Sequence, residues 1–263
     1  MITTEALLAM VERTPDRRVE VLLHGEDDAG QRAAMAAGFQ REGVRRGGLD
    51  GRDAIPFARL PGDPPGPVPR PLPDLPGGEL TDGVVTLRPL GPGDIDFYAD
   101  LHADQDVIDT SVPPEAKTAD EVRRRCTWAQ SYWLAGTRAD MVIVDTATGA
   151  PTGLIGLFYQ EPPLGQAMIG YSQHRAWRGR GYTTRAVQLL ALWVYAETGI
   201  VRLIAGTNPT NRGSQRVLEK AGFHREAHLR FRLPGPANTR IDDVQYVLLP
   251  EDVLNAISPC VPG

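Results

Sequence analysis

Residues 169–195 read IGYSQHRAWRGRGYTTRAVQLLALWVY. A strand-like run leads into Arg178-Gly179-Arg180-Gly181-Tyr182-Thr183, and a long apolar helix follows to about Thr198. Glycines at the junction let the backbone turn tightly and leave successive N–H groups exposed. Those donors, with the positive end of the helix, make a site for a diphosphate. Arg178 and Arg180 add charge and forked hydrogen-bond donors. The spacing is neither the dinucleotide fingerprint nor a P-loop, which requires Gly-Lys-Ser/Thr. A glycine-rich strand-to-helix turn is often no more than a turn, so the flanking sequence has to decide.

Upstream, VVTLRPL (84–90) reads as a strand, and Pro92-Gly93-Asp94 opens a helix that runs to Leu101. Thr118 and Glu121 form a capping box for a helix predicted over 118–134. Asp140–Asp145 and Gly153–Tyr159 read as a hairpin around Ala147-Thr148-Gly149. Ala167–Gln173 is the strand that enters the loop. Downstream, Val201–Gly206 is a buried strand, and Asn211–Ala221 is a helix closed by Gly222. Two strands, about 227–233 and 241–249, flank Pro234-Gly235-Pro236. Strands and helices alternate, which predicts an α/β fold around a mixed sheet. Trp128, Tyr132 and Trp133 cluster at mixed spacing on a predicted helix and read as core.

The stretch Gly62–Gly78 carries seven prolines in 17 residues and cannot form a helix or a central strand. It predicts an extended linker over 62–80, dividing residues 1–61 from a domain over 81–255. Residues 17–42 align without gaps to residues 201–226. Seven of the twelve positions from Gln31 to Glu42 are identical to Gln215–Glu226, among them Gln31/Gln215, Gly38/Gly222 and Phe39/Phe223. DAIPFARLPGD (53–63) then parallels DDVQYVLLPED (242–252) after a shift of five residues. The N-terminal segment reads as a half-copy of the C-terminal one, lacking any counterpart of residues 84–180. Chance similarity between two segments ending in a Gly-Phe cap explains the identities less well.

The chain has 263 residues and a net charge of −5, with a pI near 5.6. That balance argues against nucleic acid as the main partner, because phosphate backbones need a basic surface. No apolar run approaches the ~18–20 residues of a membrane span. The N-terminus lacks a basic region followed by an apolar core, so the expectation is a cytoplasmic protein with no membrane partner. Cys126 and Cys260 form neither a metal-ligand pattern nor a disulfide framework, and no metal is expected.

These pieces resemble the GNAT superfamily of acyl-CoA N-acyltransferases, and most closely the branch that acetylates ribosomal-protein N-termini. The family's Gln/Arg-x-x-Gly-x-Gly/Ala motif falls on Arg178-x-x-Gly181-x-Thr183, with Thr in place of the last small residue. The branch's Asn-x-x-Ser and Leu-Glu-Lys-x-Gly-Phe signatures fall on Asn211 to Ser214 and Leu218 to Phe223. The similarity covers about residues 84–250. It implies a fold whose central parallel strands, about 167–173 and 201–206, splay apart to receive the pantetheine arm. It implies an enzyme that moves an acetyl or other short acyl group from acetyl-CoA to a primary amine by direct attack in a ternary complex. Residues Arg178, Gly179, Arg180, Gly181, Tyr182 and Thr183 would hold the diphosphate. Asn211 would meet the pantetheine, the backbone of Tyr171, Ser172 and Gln173 would face the thioester, and Ser214 would stabilise the leaving sulfur.

Near a helix start, Ser214 and Asn211 also suit plain capping. For the general base, Glu226, Asp242, Asp243 and His174 are placed by position, and Asp243 is favoured. Asp242 and Asp243 alternate on a strand, so at most one faces the cleft. His174 equally suits a surface or substrate contact. On the acceptor side, the predicted loop 107–114 offers Asp109 to a cationic amine, with Asp104 and Asp106 as alternatives. In the N-terminal segment Asp27 and Gly30 replace Asn211 and Ser214, so that segment should not bind acyl-CoA; covering the acceptor site or supporting a homodimer are roles left open to it. Two rival readings are a binding module that senses acyl-CoA without turnover, and transfer from a charged tRNA.

Overall fold

The computed structural model describes residues 2–257. They separate into two compact units, one of residues up to 71 together with 130–136, the other of residues 72–129 and those from 137 onward. The first unit holds α1 (Thr4–Glu12), β1 (Val19–His24), α2 (Asp28–Ala36), β2 (Gln40–Arg41), β3 (Arg45–Leu49) and β4 (Arg52–Arg59). Strand β4 lies between β1 and β2 and also pairs with β3, in every case antiparallel. Leu7, Phe39, Ile55 and Phe57 are fully buried.

The second unit is built on an eight-stranded sheet. Its elements run β5 (Leu80–Thr81), β6 (Val85–Pro89), α3 (Ile95–Ala103), α4 (Gln105–Thr110) and α5 (Ala119–Thr127). After α6 (Ala129–Leu134), which from Gln130 onward belongs to the first unit, come β7 (Arg138–Asp145), β8 (Pro151–Glu161), β9 (Gln166–Gln173) and α7 (Tyr182–Glu197). Strand β10 (Arg202–Thr207), α8 (Arg212–Lys220), β11 (His224–Pro234), β12 (Arg240–Leu248) and α9 (Pro250–Ile257) complete the order. The sheet runs β11-β12-β10-β9-β8-β7-β6-β5. Among the described residues only β9 and β10 pair in parallel, and their pairing is confined to Gln166–Met168 against Arg202–Ile204. Beyond Met168 and Ile204 the two strands part, so the backbone of Ile169–Gln173 lies free of β10. That is the splayed arrangement the resemblance to the GNAT family implies.

Several expectations change in detail. The single helix predicted over 118–134 is two, broken where Trp128 leaves helical geometry at φ −102°, ψ 3°. The Thr118–Glu121 capping box is present, with Glu121 N–H donating to Thr118 Oγ1 at 3.2 Å. The predicted loop 107–114 begins inside α4, which the sequence conceals because only six residues are helical and an Asp, Asp104, caps it. Within the proline-rich stretch, Leu72 and Leu75 are buried and Pro76–Gly78 forms a short 3-10 turn. Helix α9 follows the closing strand, started by Asp252 accepting from Leu249 N–H at 2.9 Å. Cys126 is buried and free, and Cys260 lies outside the described residues.

The segments β1-α2-β2-β4 and β10-α8-β11-β12 share their wiring. Ala58 pairs with both Glu20 and Gln40, and Val247 pairs with both Ile204 and His224. Gln31 donates to the carbonyls of His24 and Gly25 at 3.2 and 3.1 Å. Gln215 donates to those of Asn208 and Pro209 at 3.5 and 2.8 Å. Gly38 and Gly222 close the two helices at φ 80° and 97°, a conformation that glycine adopts without strain.

Candidate functional site

Helix α7 begins without a cap. Its N-cap is Gly181 at φ 80°, which offers no side chain, and Gly179 before it sits at φ 77°. The N–H groups of the first turn, Tyr182 to Thr184, therefore have neither an intrahelical acceptor nor a capping oxygen. The loop is held from outside. Tyr182 donates to Asp145 at 2.7 Å, and Arg185 donates to Asp82 at 2.7 Å. Trp177 stacks on Tyr182 with ring centroids 5.5 Å apart. Thr183, at the motif's divergent position, is buried and donates its hydroxyl to Gln173 Oε1 at 2.9 Å. The same amide donates to Thr152 O at 2.7 Å. The extra hydroxyl is thus committed to the interior and leaves the backbone donors to face outward.

This loop opens on a cavity of about 660 Å³ in the second unit. Its walls bring together most of the residues singled out in the sequence: Tyr171, Ser172 and Gln173 of β9; Arg178, Gly179, Gly181, Tyr182 and Thr183 of the loop; Asn211 and Ser214 of α8; and Asp109 of α4. Arg180, His174, Glu226 and Asp243 are not among the lining residues. The Arg180 guanidinium lies 4.7 Å from the Trp177 ring centroid. Arg178 is turned to α4, donating to Asp106 at 2.7 Å, with Asp104 3.7 Å away. His174 Nδ1 accepts from Ala176 N–H at 3.3 Å, and its ring lies 3.3 Å from Asp100.

The most informative contact crosses the gap between the parted strands. Tyr171 Oη lies 2.9 Å from Ser214 Oγ and 3.2 Å from Ser214 O. Burial pushes the Tyr171 phenol well above its ordinary value, so it stays protonated at neutral pH. Asn211 accepts from Ser214 N–H at 3.0 Å, which makes it the N-cap of α8. Sequence reasoning valued Tyr171 for its backbone; the register that aims its ring at α8 was not visible there.

Of the remaining candidate carboxylates, Asp243 lies on the opposite face of the sheet from α8. Tyr246 of β12 donates to Glu219 of α8 at 3.1 Å, so the alternation of side chains sends Asp243 and Gln245 to the other side of the sheet. There Asp243 is 2% exposed and lies so close over Gly206 that a Cβ on that glycine would come within 2.7 Å of its Oδ1. Its Oδ2 is 3.2 Å from Arg232, and Oδ1 is buried without a hydrogen-bond partner. Burial raises its pKa, against the opposing pull of Arg232. Glu226 is different: Arg202 donates to it at 2.5 and 2.6 Å and Gln245 at 3.0 Å. Those bonds lower its pKa and give it a structural part rather than that of a base. Asp242 is likewise occupied, accepting from Phe231 N–H at 3.0 Å and lying 2.8 Å from His228. Among the described residues, no group of three or more His, Cys, Asp or Glu is placed to hold a metal, and no helix is long and apolar enough to cross a membrane.

Comparison with known proteins points the same way. Residues 85–224 match the family model described as an acetyltransferase (GNAT) domain. A probable N-acetyltransferase of Bacillus subtilis, YjcK, is 39% identical over 89 residues, covering 34% of this chain and 49% of that protein. The chain thus spans about half the length of the curated relatives it matches. Among solved structures, a ribosomal-protein-S5-alanine acetyltransferase of Vibrio fischeri superposes with a TM-score of 0.59 at 18% identity, over 66% of this chain and 97% of that one. RimJ of Mycobacterium smegmatis, solved in complex with CoA-disulfide, gives 0.57 at 22% identity, over 68% and 91%.

Proposed function

The chain belongs to the GNAT acetyltransferase family, and we propose that it transfers an acetyl or other short acyl group from coenzyme A to a primary amine. The observation that carries this reading is the uncapped start of α7 opening on the same cavity as the Tyr171–Ser214 pair. In the proposed reaction the amine nitrogen attacks the thioester carbonyl carbon, and the C–S bond breaks. The amine surrenders a proton, and the departing sulfur takes one up. Ser214 Oγ–H is the donor to sulfur, with the protonated Tyr171 hydroxyl behind it to restore the proton. Asp243 does not line this cavity, so it would take the amine proton only through intervening groups; its raised pKa brings it nearer the value an efficient base needs. The free backbone of β9 supplies the donor for the oxyanion. Asn211, which caps α8, holds Ser214 in place.

The donor side fits this chemistry residue by residue. The free N–H groups of Tyr182–Thr184 suit a diphosphate, and the parted strands suit an extended pantetheine arm. The acceptor is a protein N-terminus or a small amine, with Asp109 facing the cavity as a partner for its positive charge. Ribosomal-protein acetyltransferases among the structural neighbours favour the N-terminus. We further propose that residues 81–255 carry the activity and that residues 1–61 are a degenerate half-copy, joined by 62–80, that binds no acyl-CoA. A thiol-release assay with acetyl-CoA and a panel of peptides and amines tests the reading. Amine-dependent thiol release is expected; acetyl-CoA binding without release for any amine would favour the sensor reading instead.

A further inference from the structure

Helix α8 turns one stripe to the cavity: Gly213, Arg216, Val217 and Lys220 all line it. Their spacing of three, four and seven residues is that of a single helix face. The stripe therefore sets two cations, four residues apart, along the wall that runs away from Ser214. The arginines of the loop and first turn of α7 are already engaged, Arg178 with Asp106, Arg185 with Asp82, and Arg180 over Trp177. Arg216 and Lys220 are both exposed, and neither forms an ion pair with any described residue. Two unneutralised cations held on one face of a cavity, in a chain of net charge −5, call for an anionic ligand group.

The acyl-CoA reading, on which this inference rests, supplies that group. Coenzyme A carries two phosphate sites. The diphosphate is matched by the backbone donors of Tyr182–Thr184, which leaves the 3′-phosphomonoester of the ribose without a partner. Thr184 of α7 lines the same cavity as Arg216 and Lys220, and Gln188 one turn further along α7 donates to Lys220 O at 3.5 Å, so an adenosine leaving the diphosphate site along α7 would meet this part of α8. We propose that Arg216 and Lys220 form the subsite for the 3′-phosphate, and that they make the protein distinguish coenzyme A from its 3′-dephospho form. A guanidinium and an ammonium suit this dianion, the first by its fork and the second as a mobile point charge. Neither residue touches the thioester, so the pair governs donor choice and leaves the chemical step alone.

Calorimetric titration of the full chain with coenzyme A and with 3′-dephospho-CoA decides the matter. The wild type should bind coenzyme A about tenfold or more tightly than the dephospho form, the range of a charge-assisted contact to phosphate. The Arg216→Gln/Lys220→Gln double variant should lose that preference by weakening coenzyme A alone, with dephospho-CoA affinity and thermal midpoint unchanged. Raising the salt concentration should shrink the wild-type preference but not that of the variant. Equal wild-type affinity for the two ligands, or equal weakening of both in the variant, would overturn the assignment. Wild-type binding of neither ligand would instead remove the acyl-CoA reading beneath it.

Discussion

The segments β1-α2-β2-β4 and β10-α8-β11-β12 fold by the same local rules, yet of the two only the second contributes residues to the cavity at the start of α7. Each has a strand, a helix whose buried glutamine ties back to the two carbonyls before it, a Gly-Phe cap, and a central strand that both others pair with. Four differences separate them. The second segment has β9 beside β10, parting from it; among the described residues the first unit's sheet has no counterpart beside β1. The second has α7 with its free N-terminus. The second has Ser214 where the first has Gly30, and Asn211 where the first has Asp27. Asp27 still caps its helix, accepting from Gly30 N–H at 2.9 Å, as Asn211 does for Ser214. The cap is thus a folding device common to both, and the proposed chemistry rests on what stands next to it in the second: a hydroxyl, a phenol from a parted strand, and an open helix end.

The largest effect should come from closing that open end. Gly181→Asp places a carboxylate among the α7 donors, in a residue type that tolerates positive φ. Coenzyme A binding should weaken by about 100-fold, read by calorimetry, with the far-UV spectrum retained. Next, making the second segment resemble the first by Ser214→Gly, or removing its partner by Tyr171→Phe, should slow single-turnover acyl transfer by about 10–100-fold while acyl-CoA affinity changes little. Full activity in both variants would leave the two segments chemically equivalent at this position and break the comparison.

A pH profile sharpens it. Asp243 has a pKa raised by burial, so the acid limb of the rate should lie above the ordinary carboxylate range and vanish in Asp243→Asn. The same shift has a stability sign. A native carboxyl that holds its proton more tightly than the unfolded chain favours folding at low pH, and that contribution is lost as pH rises through its folded pKa. Asp243→Asn should therefore flatten the pH dependence of the thermal midpoint on that side. Smaller still, Gln31→Ala and Gln215→Ala remove the same two-carbonyl tie and should each cost about 1–3 kcal/mol in denaturant unfolding. Costs differing severalfold would argue against common wiring. Asp27→Asn, which copies the second segment's cap into the first, should change coenzyme A affinity by less than about twofold.

How much of this could be read from residues alone differs by kind of interaction. The loop Arg178–Thr183 and the α8 start were legible because glycines, caps and periodicity are local signals. The parting parallel pair was expected from the resemblance to the GNAT family, not from local signals. The Tyr171–Ser214 contact was not legible, because it joins residues 43 positions apart across a gap whose width depends on where pairing stops. The fate of the carboxylates was equally hidden. Glu226 and Asp243 look alike in sequence, but Arg202 neutralises one while burial over Gly206 raises the other. Helix α4 escaped notice for its six-residue length, and the break at Trp128 because the 118–134 pattern continues through it.

The central claim is that the open start of α7 grips the diphosphate of coenzyme A. A crystal structure of the chain with coenzyme A bound tests it most directly. Phosphate oxygens within hydrogen-bonding distance of the backbone N–H groups between Gly179 and Thr184, with the sulfur beside Ser214, are the predicted result. Coenzyme A bound elsewhere, with those N–H groups still facing water, would contradict it.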